Sequence, residues 1–363
     1  MKIFIKTYGC QANINDSEQI AGLLVKGGYE LVDSKDKAEA IIVNTCSVKN
    51  KTQSKILHYL KELDKGGKKV FVGGCLTKTL DLRKRFPGLN GVFDTNSISK
   101  IGEVLENEKD IFSEKKEQRI NIPVIRNKQG LGIISIGEGC VNKCTFCATK
   151  LARGILRSYR IGDIKRALEQ AVKDGCKRIY LTSQDNGCYG FDIGTNLPSL
   201  LKELLTVEGE YKIRIGMMNP WHLRKILVEL IEVYKNPKVE KFIHLPVQSG
   251  SNSVLKHMKR IHSAENFKEA VEKLRGEIPD INIATDIIVG YPTETEEDFQ
   301  ETIKLLEETK PEVINISVFS SRPGTEASRL KQLSSQVIKE RSKRLDELVI
   351  KFKEELSKKK SSK

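Results

Sequence analysis

Cys140-Val141-Asn142-Lys143-Cys144-Thr145-Phe146-Cys147 is the stretch on which the reading of this chain turns. Its three cysteines, spaced C-x3-C-x2-C, directly follow the apolar run 131–136. Three thiolates hold a cubane 4Fe–4S cluster and leave one iron without a protein ligand. Reductive radical chemistry on S-adenosylmethionine (SAM) needs that open iron, because cluster and cofactor perform the difficult step and the protein orients them. The competing reading is zinc. A structural zinc site closes four ligands, usually as paired cysteines or Cys/His pairs. Here there are three, and the nearest histidine in sequence is His222.

Composition sets the outer bounds. The 363 residues allow two or three domains with ample core. The opening residues, with Lys2 and Lys6, form a short strand-like run and not the apolar core of a signal peptide. No stretch approaches the roughly 18 apolar residues of a membrane span. A soluble, cytoplasmic protein is expected, in which eight cysteines suggest metal or catalysis before disulfides. The 62 basic and 48 acidic residues leave a net charge of +14. Such a surface attracts phosphate backbones. Lys143, Lys150, Arg153, Arg157 and Arg160 crowd the cysteine loop and would give a polyanionic substrate a basic rim.

Residues 1–117 read as a small α/β domain. Strands at 2–7, 40–43 and 69–72 alternate with helices at 16–26, capped by Asp16 or Ser17, and ending near Leu63. That order implies a three-layer domain around a parallel sheet, in which ligands bind past the carboxyl ends of strands. Cys10, Cys46 and Cys75 all fall just past those ends, each in a polar or glycine-rich turn. A single buried cysteine is an ordinary small hydrophobe. Three at equivalent positions point to a second three-thiolate cluster.

Residues 118–130 read as a linker. From 131 to 332 strands at 132–136, 178–182, 212–216, 242–246, 282–289 and 313–319 alternate with helical patterns. Six such units suggest an open (β/α)6 partial barrel with its site at the strand ends. Polar clusters fall there. Gln184 and Asp185 are expected at the methionyl amino group, Gln248 and Ser249 at the carboxylate or ribose, with Arg214 and Asp286 as further cofactor contacts. Residues 333–363 read as a helix, 337–356, followed by a solvated lysine-rich tail.

The motifs and their order resemble those of the radical-SAM methylthiotransferases. Thr7 to Asn13 with Asp16-Ser17-Glu18, Asn44-Thr45-Cys46 and Gly73-Gly74-Cys75 look like that family's N-terminal cluster domain. Gly137 to Cys147, Ala152-Arg153-Gly154, His244 to Ser249 and Arg322-Pro323-Gly324-Thr325 look like its radical domain. Leu181 to Asp185, Asp192 to Pro198, Gly216 to Pro220 and Ala284 to Ile288 are most similar to the archaeal and eukaryotic branch acting on tRNA.

The resemblance implies two 4Fe–4S clusters, at Cys140/Cys144/Cys147 and at Cys10/Cys46/Cys75, with Phe146 beside the adenine of SAM. It implies that N6-threonylcarbamoyladenosine in the tRNA anticodon stem-loop becomes its 2-methylthio derivative. One SAM methylates a sulfur at the N-terminal cluster. Another is cleaved at the second cluster, and the resulting 5′-deoxyadenosyl radical activates the nucleoside. An electron-donor protein is implied as partner. The small β-rich RNA-binding domain usual in the family has no counterpart after residue 332, so either a separate subunit grips RNA or the two domains and tail suffice. Cys176 and Cys188 have no family role. The alternatives are methylthiolation of isopentenylated tRNA or of a ribosomal protein side chain, or a non-enzymatic iron–sulfur electron carrier.

Overall fold

A computed structural model describes residues 1–48, 50–114 and 117–361, so Ser362 and Lys363 of the basic tail lie outside the described residues. The chain divides into two compact units: 1–141, 147–184 and 206–211 form the first, and 142–146, 185–205 and 212–363 the second.

The first unit opens with five parallel strands, β1 (Lys2–Thr7), β2 (Glu30–Leu31), β3 (Ala40–Thr45), β4 (Lys69–Gly74) and β5 (Gly91–Val92), in spatial order β2-β1-β3-β4-β5. Side chains alternate across this sheet. Ile41, Val43, Val70 and Val72 enter one core with Ile56 and Leu60 of α2 (Asn50–Leu63). Ala40, Ile42 and Phe71 enter the other, with Ile20 and Leu24 of α1 (Gln11–Lys26). Both faces are therefore covered, as expected of a parallel sheet read as three layers. The two short outer strands β2 and β5 carry too little pattern to be read from sequence.

Helix α1 begins earlier than its sequence pattern predicts. Its N-cap is Cys10, whose backbone N–H donates to the Asn13 side chain at 3.4 Å. Asp16 and Ser17, expected as caps, are instead buried within the helix and bond to other elements, Ser17 accepting from Asn44 Nδ2 at 2.8 Å. Short helices α3 (Leu82–Arg85) and α4 (Ile101–Asn107) follow. The stretch read as a linker has no helix or strand from 117 to 130 but packs tightly: Ile125 N donates to Glu18 O at 3.0 Å, and a Cβ on Gly22 would meet the Pro123 carbonyl at 2.2 Å. Strand β6 (Leu131–Ser135) then leads to the two-residue antiparallel pair β7 (Gly137–Glu138) and β8 (Arg157–Ser158). Between them lies α5 (Ala148–Arg153), and beyond them α6 (Ile161–Lys173) and β9 (Arg178–Thr182), which pairs in parallel with β6.

The second unit holds β10 (Lys212–Ile215), β11 (Phe242–His244), β12 (Asn282–Val289) and β13 (Val313–Val318), with β11-β12-β13 a parallel sheet. Its helices are α7 (Leu197–Leu205), α8 (Pro220–Lys235), α9 (Asn252–His257), α10 (Ala264–Glu277), α11 (Glu296–Thr309) and α12 (Ser335–Ser361). Asn219 caps α8 with Pro220 in its first turn, and Thr295 caps α11 through a reciprocal bond with Asp298. Helix α12 runs past the expected end at 356 into the lysine-rich segment. It is anchored by buried Leu345 and Phe352 and by Arg341, whose Nη1 lies 2.8 Å from Glu294. Among the described residues no helix is long and apolar enough to cross a membrane.

His262 gives this unit a pH dependence. It is 4% exposed, its Nε2 donates to Val247 O at 3.3 Å, and its Nδ1 has no partner among the described residues. Burial, aided by Arg260, pushes its pKa down to about 3. The unfolded chain therefore takes up this proton first, and stability falls as pH drops below about 6.5. Between pH 7 and pH 5 the loss from this group is about 2 kcal/mol. Urea unfolding at both pH values should show His262→Gln losing less by about that amount; equal losses would refute the assignment.

Candidate active site

Strands β1, β3 and β4 end at Thr7, Thr45 and Gly74, and Cys10, Cys46 and Cys75 follow them. Asn13 sits among the three. Its Oδ1 accepts from Cys10 Sγ at 3.4 Å; its Nδ2 donates to Thr45 O at 3.0 Å and lies 4.0 Å from Cys75 Sγ. Asn44 returns a bond from its Nδ2 to Asn13 O at 2.8 Å. Two glycines make the close approach possible. Gly9 has φ +124°, and a Cβ there would lie 2.9 Å from Cys46 Cβ; Gly74 has φ +95°, and a Cβ would lie 2.5 Å from Thr45 O.

Cys10 is exposed, while Cys46 and Cys75 are buried. Burial first, and then the neighbouring Cys75 and Cys10, push the Cys46 thiol up to about 11. Burial also raises Cys75, against the pull of Arg153. The donor set is wholly sulfur, which suits soft metals and iron–sulfur groups, and it has three members where a closed zinc site needs four. Beside it, Gln11 Oε1 and Ser47 Oγ are buried with no hydrogen-bond partner among the described residues. Donor chemistry and orphaned polar atoms both fit an iron–sulfur group held here.

Next to these thiols lies a buried charge network that sequence reading missed. Arg119 Nη1 donates to Asp16 Oδ1 at 2.8 Å and to Gln19 Oε1 at 2.9 Å, and its Nη2 pairs with Glu138. Arg153 pairs with the other oxygen of Asp16. Burial alone would raise the Asp16 carboxyl, but Arg153 and Arg119 together hold it below the usual carboxylate range. The basic rim expected around the loop is correspondingly smaller. Arg153 is buried, Lys150 bonds the Cys140 carbonyl, and of the five residues only Lys143 and Arg160 are exposed.

The cysteine loop is distributed over the two units: Cys140 and Cys147 belong to the first and Cys144 to the second. In the first, Cys140 N donates to Gly154 O at 3.1 Å, Cys147 is the N-cap of α5, and Gln184 Oε1 accepts from Gly139 N at 2.5 Å. In the second, Asn142 is held from both ends of its amide. Its Nδ2 donates to Asp185 Oδ2 at 2.8 Å and its Oδ1 lies 3.0 Å from His222 Nε2. Asp185 also accepts from Gly187 N and Asn219 N, and burial raises its pKa. Arg260 approaches Cys144 Sγ at 3.8 Å and bonds the Pro246 carbonyl. Thr145 Oγ1 lies 2.7 Å from the Tyr291 hydroxyl, and Phe146 packs on Tyr291, Met258 and Phe319.

The remaining expected cofactor contacts all lie in the second unit. Gln248 has φ +77° and is pinned by Gln248 N to Asp286 O and Ile288 N to Gln248 O, at 2.8 and 2.9 Å. A left-handed glutamine costs about 1–3 kcal/mol and persists where its surroundings enforce it, commonly at ligand sites. The Asp286 carboxylate lies 3.0 Å from His244 Nε2 and 2.8 Å from Asn315 Nδ2. Ser249 Oγ meets Thr302 Oγ1 and accepts from Ser251 N. Arg214 pairs with Glu240 at 3.4 Å and stacks 3.5 Å over the Phe242 ring. Asn142, His222 and Arg260 were not singled out as site residues from sequence.

Two family models match the chain. Residues 134–306 match the Radical SAM superfamily model, and residues 2–94 match the model of Uncharacterized protein family UPF0004. The fold resembles that of TsrM, a radical S-adenosylmethionine methyltransferase from Kitasatospora setae, at a TM-score of 0.66 and 13% identity, covering 90% of this chain and 74% of that one. It also resembles OxsB, a cobalamin-dependent S-adenosylmethionine radical enzyme, at a TM-score of 0.59 and 16% identity, covering 98% and 56%. The α/β class with parallel sheets is thus the radical SAM fold, and SAM and an iron–sulfur cluster are its cofactors. In sequence, the chain is 42% identical to the probable threonylcarbamoyladenosine tRNA methylthiotransferase of Pyrococcus horikoshii, over 99% of this chain and 86% of that one. It is 39% identical to the human threonylcarbamoyladenosine tRNA methylthiotransferase, over 95% and 62%. The chain belongs to the radical SAM methylthiotransferases, in the threonylcarbamoyladenosine tRNA branch.

Proposed function

We propose that this enzyme converts N6-threonylcarbamoyladenosine beside the anticodon of tRNA, at position 37, to its 2-methylthio derivative. The observation that carries the reading is 42% identity over 99% of the chain to a relative of that name. The gathering of Cys10, Cys46 and Cys75 around Asn13 supports it. Two clusters are proposed, on Cys10/Cys46/Cys75 and on Cys140/Cys144/Cys147. When bound, they supply reductive cleavage of SAM and a place to hold the sulfur that is transferred.

The protein's own groups bind and orient. Asn13 fixes the spacing of the Cys10 and Cys75 turns. The Asp185–Asn142–His222 chain sets the backbone of the cysteine loop, and burial lowers the pKa of His222 below its ordinary value against the pull of Asp185. Phe146 is proposed beside adenine, Gln184 and Asp185 at the methionyl ammonium, Gln248 and Ser249 at carboxylate or ribose, and Arg214 and Asp286 as further contacts. A net charge of +14 favours tRNA phosphates and makes binding salt-dependent. An electron-donor protein completes the reaction, and RNA is gripped by these domains or by a separate subunit.

The test is anaerobic. Protein reconstituted with iron and sulfide receives SAM, a reductant and tRNA carrying N6-threonylcarbamoyladenosine, in parallel with tRNA carrying isopentenyladenosine. Mass spectrometry should find the 2-methylthio nucleoside in the first arm only. Product in the second arm alone would overturn the substrate assignment. Iron binding without SAM cleavage would overturn the enzymatic reading in favour of an electron carrier.

A further inference from the structure

The second unit carries a turn that holds apolar side chains out in water. Phe191 and Ile193 are each 42% exposed. The turn is closed, because Ile193 N and Thr195 N both donate to Gly190 O at 3.0 Å. Gly190 has φ +85°, and a Cβ there would lie 2.4 Å from Thr195 O, so the turn needs glycine at this point. Large apolar side chains fixed in water side by side mark a contact surface.

The surface is aromatic and cationic. Phe191 stands edge-on to His222, with ring centroids 5.1 Å apart and planes at 79°. Trp221, half-buried, stacks on the same His222 ring at 4.7 Å. Lys225, one helical turn after Trp221, lies 6.0 Å from the Phe191 ring centroid. His222 Nε2 in turn lies 3.0 Å from Asn142 Oδ1, in the cysteine loop. Lys143, the next residue of that loop, is exposed, as is Arg224 beside Lys225. An aromatic cluster edged by cations therefore adjoins the segment that carries Cys144.

Rings and cations together suit unpaired nucleotides, whose bases offer stacking faces and whose phosphates offer negative charge. The net charge of +14 has the matching sign. An enzyme that does chemistry on a base takes that base out of its stack. The neighbouring nucleotide then loses a stacking face, and an aromatic ring beside the site replaces it.

We infer that Phe191, backed by His222 and flanked by Trp221 and Lys225, is the stacking platform for an unpaired anticodon-loop base next to the modified adenosine, with Lys143 and Arg224 on adjoining phosphates. This rests on the tRNA reading above.

The experiment uses the full reconstituted chain and an anticodon stem-loop RNA carrying N6-threonylcarbamoyladenosine at position 37. Copies of that RNA lack the base at position 36 or at position 38. Binding is followed by fluorescence anisotropy and by the emission of Trp221, the single tryptophan of the chain. The parent is measured first. A parent that neither binds nor methylthiolates the RNA overturns the tRNA reading and this inference with it. With the parent binding, its tryptophan emission should be quenched, and Phe191→Ala should bind roughly 5- to 150-fold more weakly. Phe191→Tyr, which keeps the aromatic face, should restore binding, and Phe191→Leu, which keeps only apolar bulk, should not. Removing one of the two neighbouring bases should weaken the parent and leave Phe191→Ala unmoved, since both changes delete the same contact. If Phe191→Ala does not fold, Phe191→Leu decides. Equal RNA binding by Phe191→Leu and the parent overturns the inference while the tRNA reading stands. So does an equal loss in Phe191→Leu and Phe191→Tyr, which would make the ring a structural support. Self-association of the RNA-free parent that Phe191→Leu abolishes, with RNA binding unchanged, would assign the face to a second copy of the chain instead.

Discussion

Cys144→Ala is expected to stop 5′-deoxyadenosine formation, whereas Cys46→Ala is expected to leave it running and to stop only methylthiolation. Loss of a group that merely supports a metal ligand already costs about 10–100-fold in affinity or activity. Loss of one of three ligands should therefore lower SAM cleavage by more than about a hundredfold. Cys144 is bracketed by bonds that do not depend on its sulfur: Asn142 Nδ2 donates to Asp185 Oδ2 at 2.8 Å on one side, and on the other Thr145 N donates to Met258 O at 3.1 Å and Ala327 N to Thr145 O at 3.0 Å. The loop should keep its path in the variant, so the loss reads out the thiol and not a collapsed loop. Cys46 follows β3, six residues that are buried throughout, and Thr45 Oγ1 donates to Gly73 O at 2.6 Å. That sheet should survive the substitution as well. SAM cleavage and methylthio product, measured in the same reaction, separate the two sites. SAM cleavage at the parent rate in Cys144→Ala would remove the assignment of Cys140, Cys144 and Cys147. Full product from Cys46→Ala would remove the second site.

The thiol positions were legible in the sequence because each depends on local pattern. Cys10, Cys46 and Cys75 follow three apolar runs at strand spacing, and a parallel sheet brings its strand ends to one side whatever the intervening loops do. What was not legible depends on partners far along the chain. Asp16 followed by Ser17 before Ile20 and Leu24 has the local signature of a helix start. It is overridden because Asp16 meets Arg119, 103 residues on, and Arg153, 137 residues on. Arg119 lies in a charged, proline-containing stretch whose composition says connector, and nothing local marks one of its charges as buried. His222 was considered only as a possible fourth metal ligand. Its contact with Asn142 spans 80 residues and is set by where α8 begins, at Asn219-Pro220.

Arg119→Met is the substitution expected to cost most stability. The parent network has two carboxylates, Asp16 and Glu138, and two guanidiniums, Arg119 and Arg153, all with side chains under 10% exposed. Methionine keeps much of the volume but removes one positive charge, and Glu138 loses the guanidinium that pairs with it. Breaking a buried pair from one side costs about 3–5 kcal/mol, because the remaining charge stays buried without compensation. Neutralising the orphan should return part of that loss, so Arg119→Met with Glu138→Gln is expected to be more stable than Arg119→Met alone, a coupling that a double-mutant cycle reads directly. The pH dependence has a defined sign. Asp16 is held below its unfolded pKa, so its contribution is present above about pH 4 and is lost as pH falls through the lower folded value. In Arg119→Met one of the two cations that lower Asp16 is gone, and that acid-sensitive contribution should shrink. Urea unfolding of the parent, the single variants and the double variant at pH 7 and at about pH 3, below the unfolded carboxyl value, tests all three statements. A single variant within about 0.5 kcal/mol of the parent, the range of ordinary surface changes, would mean that the network does not hold residues 117–130 against α1 and β7.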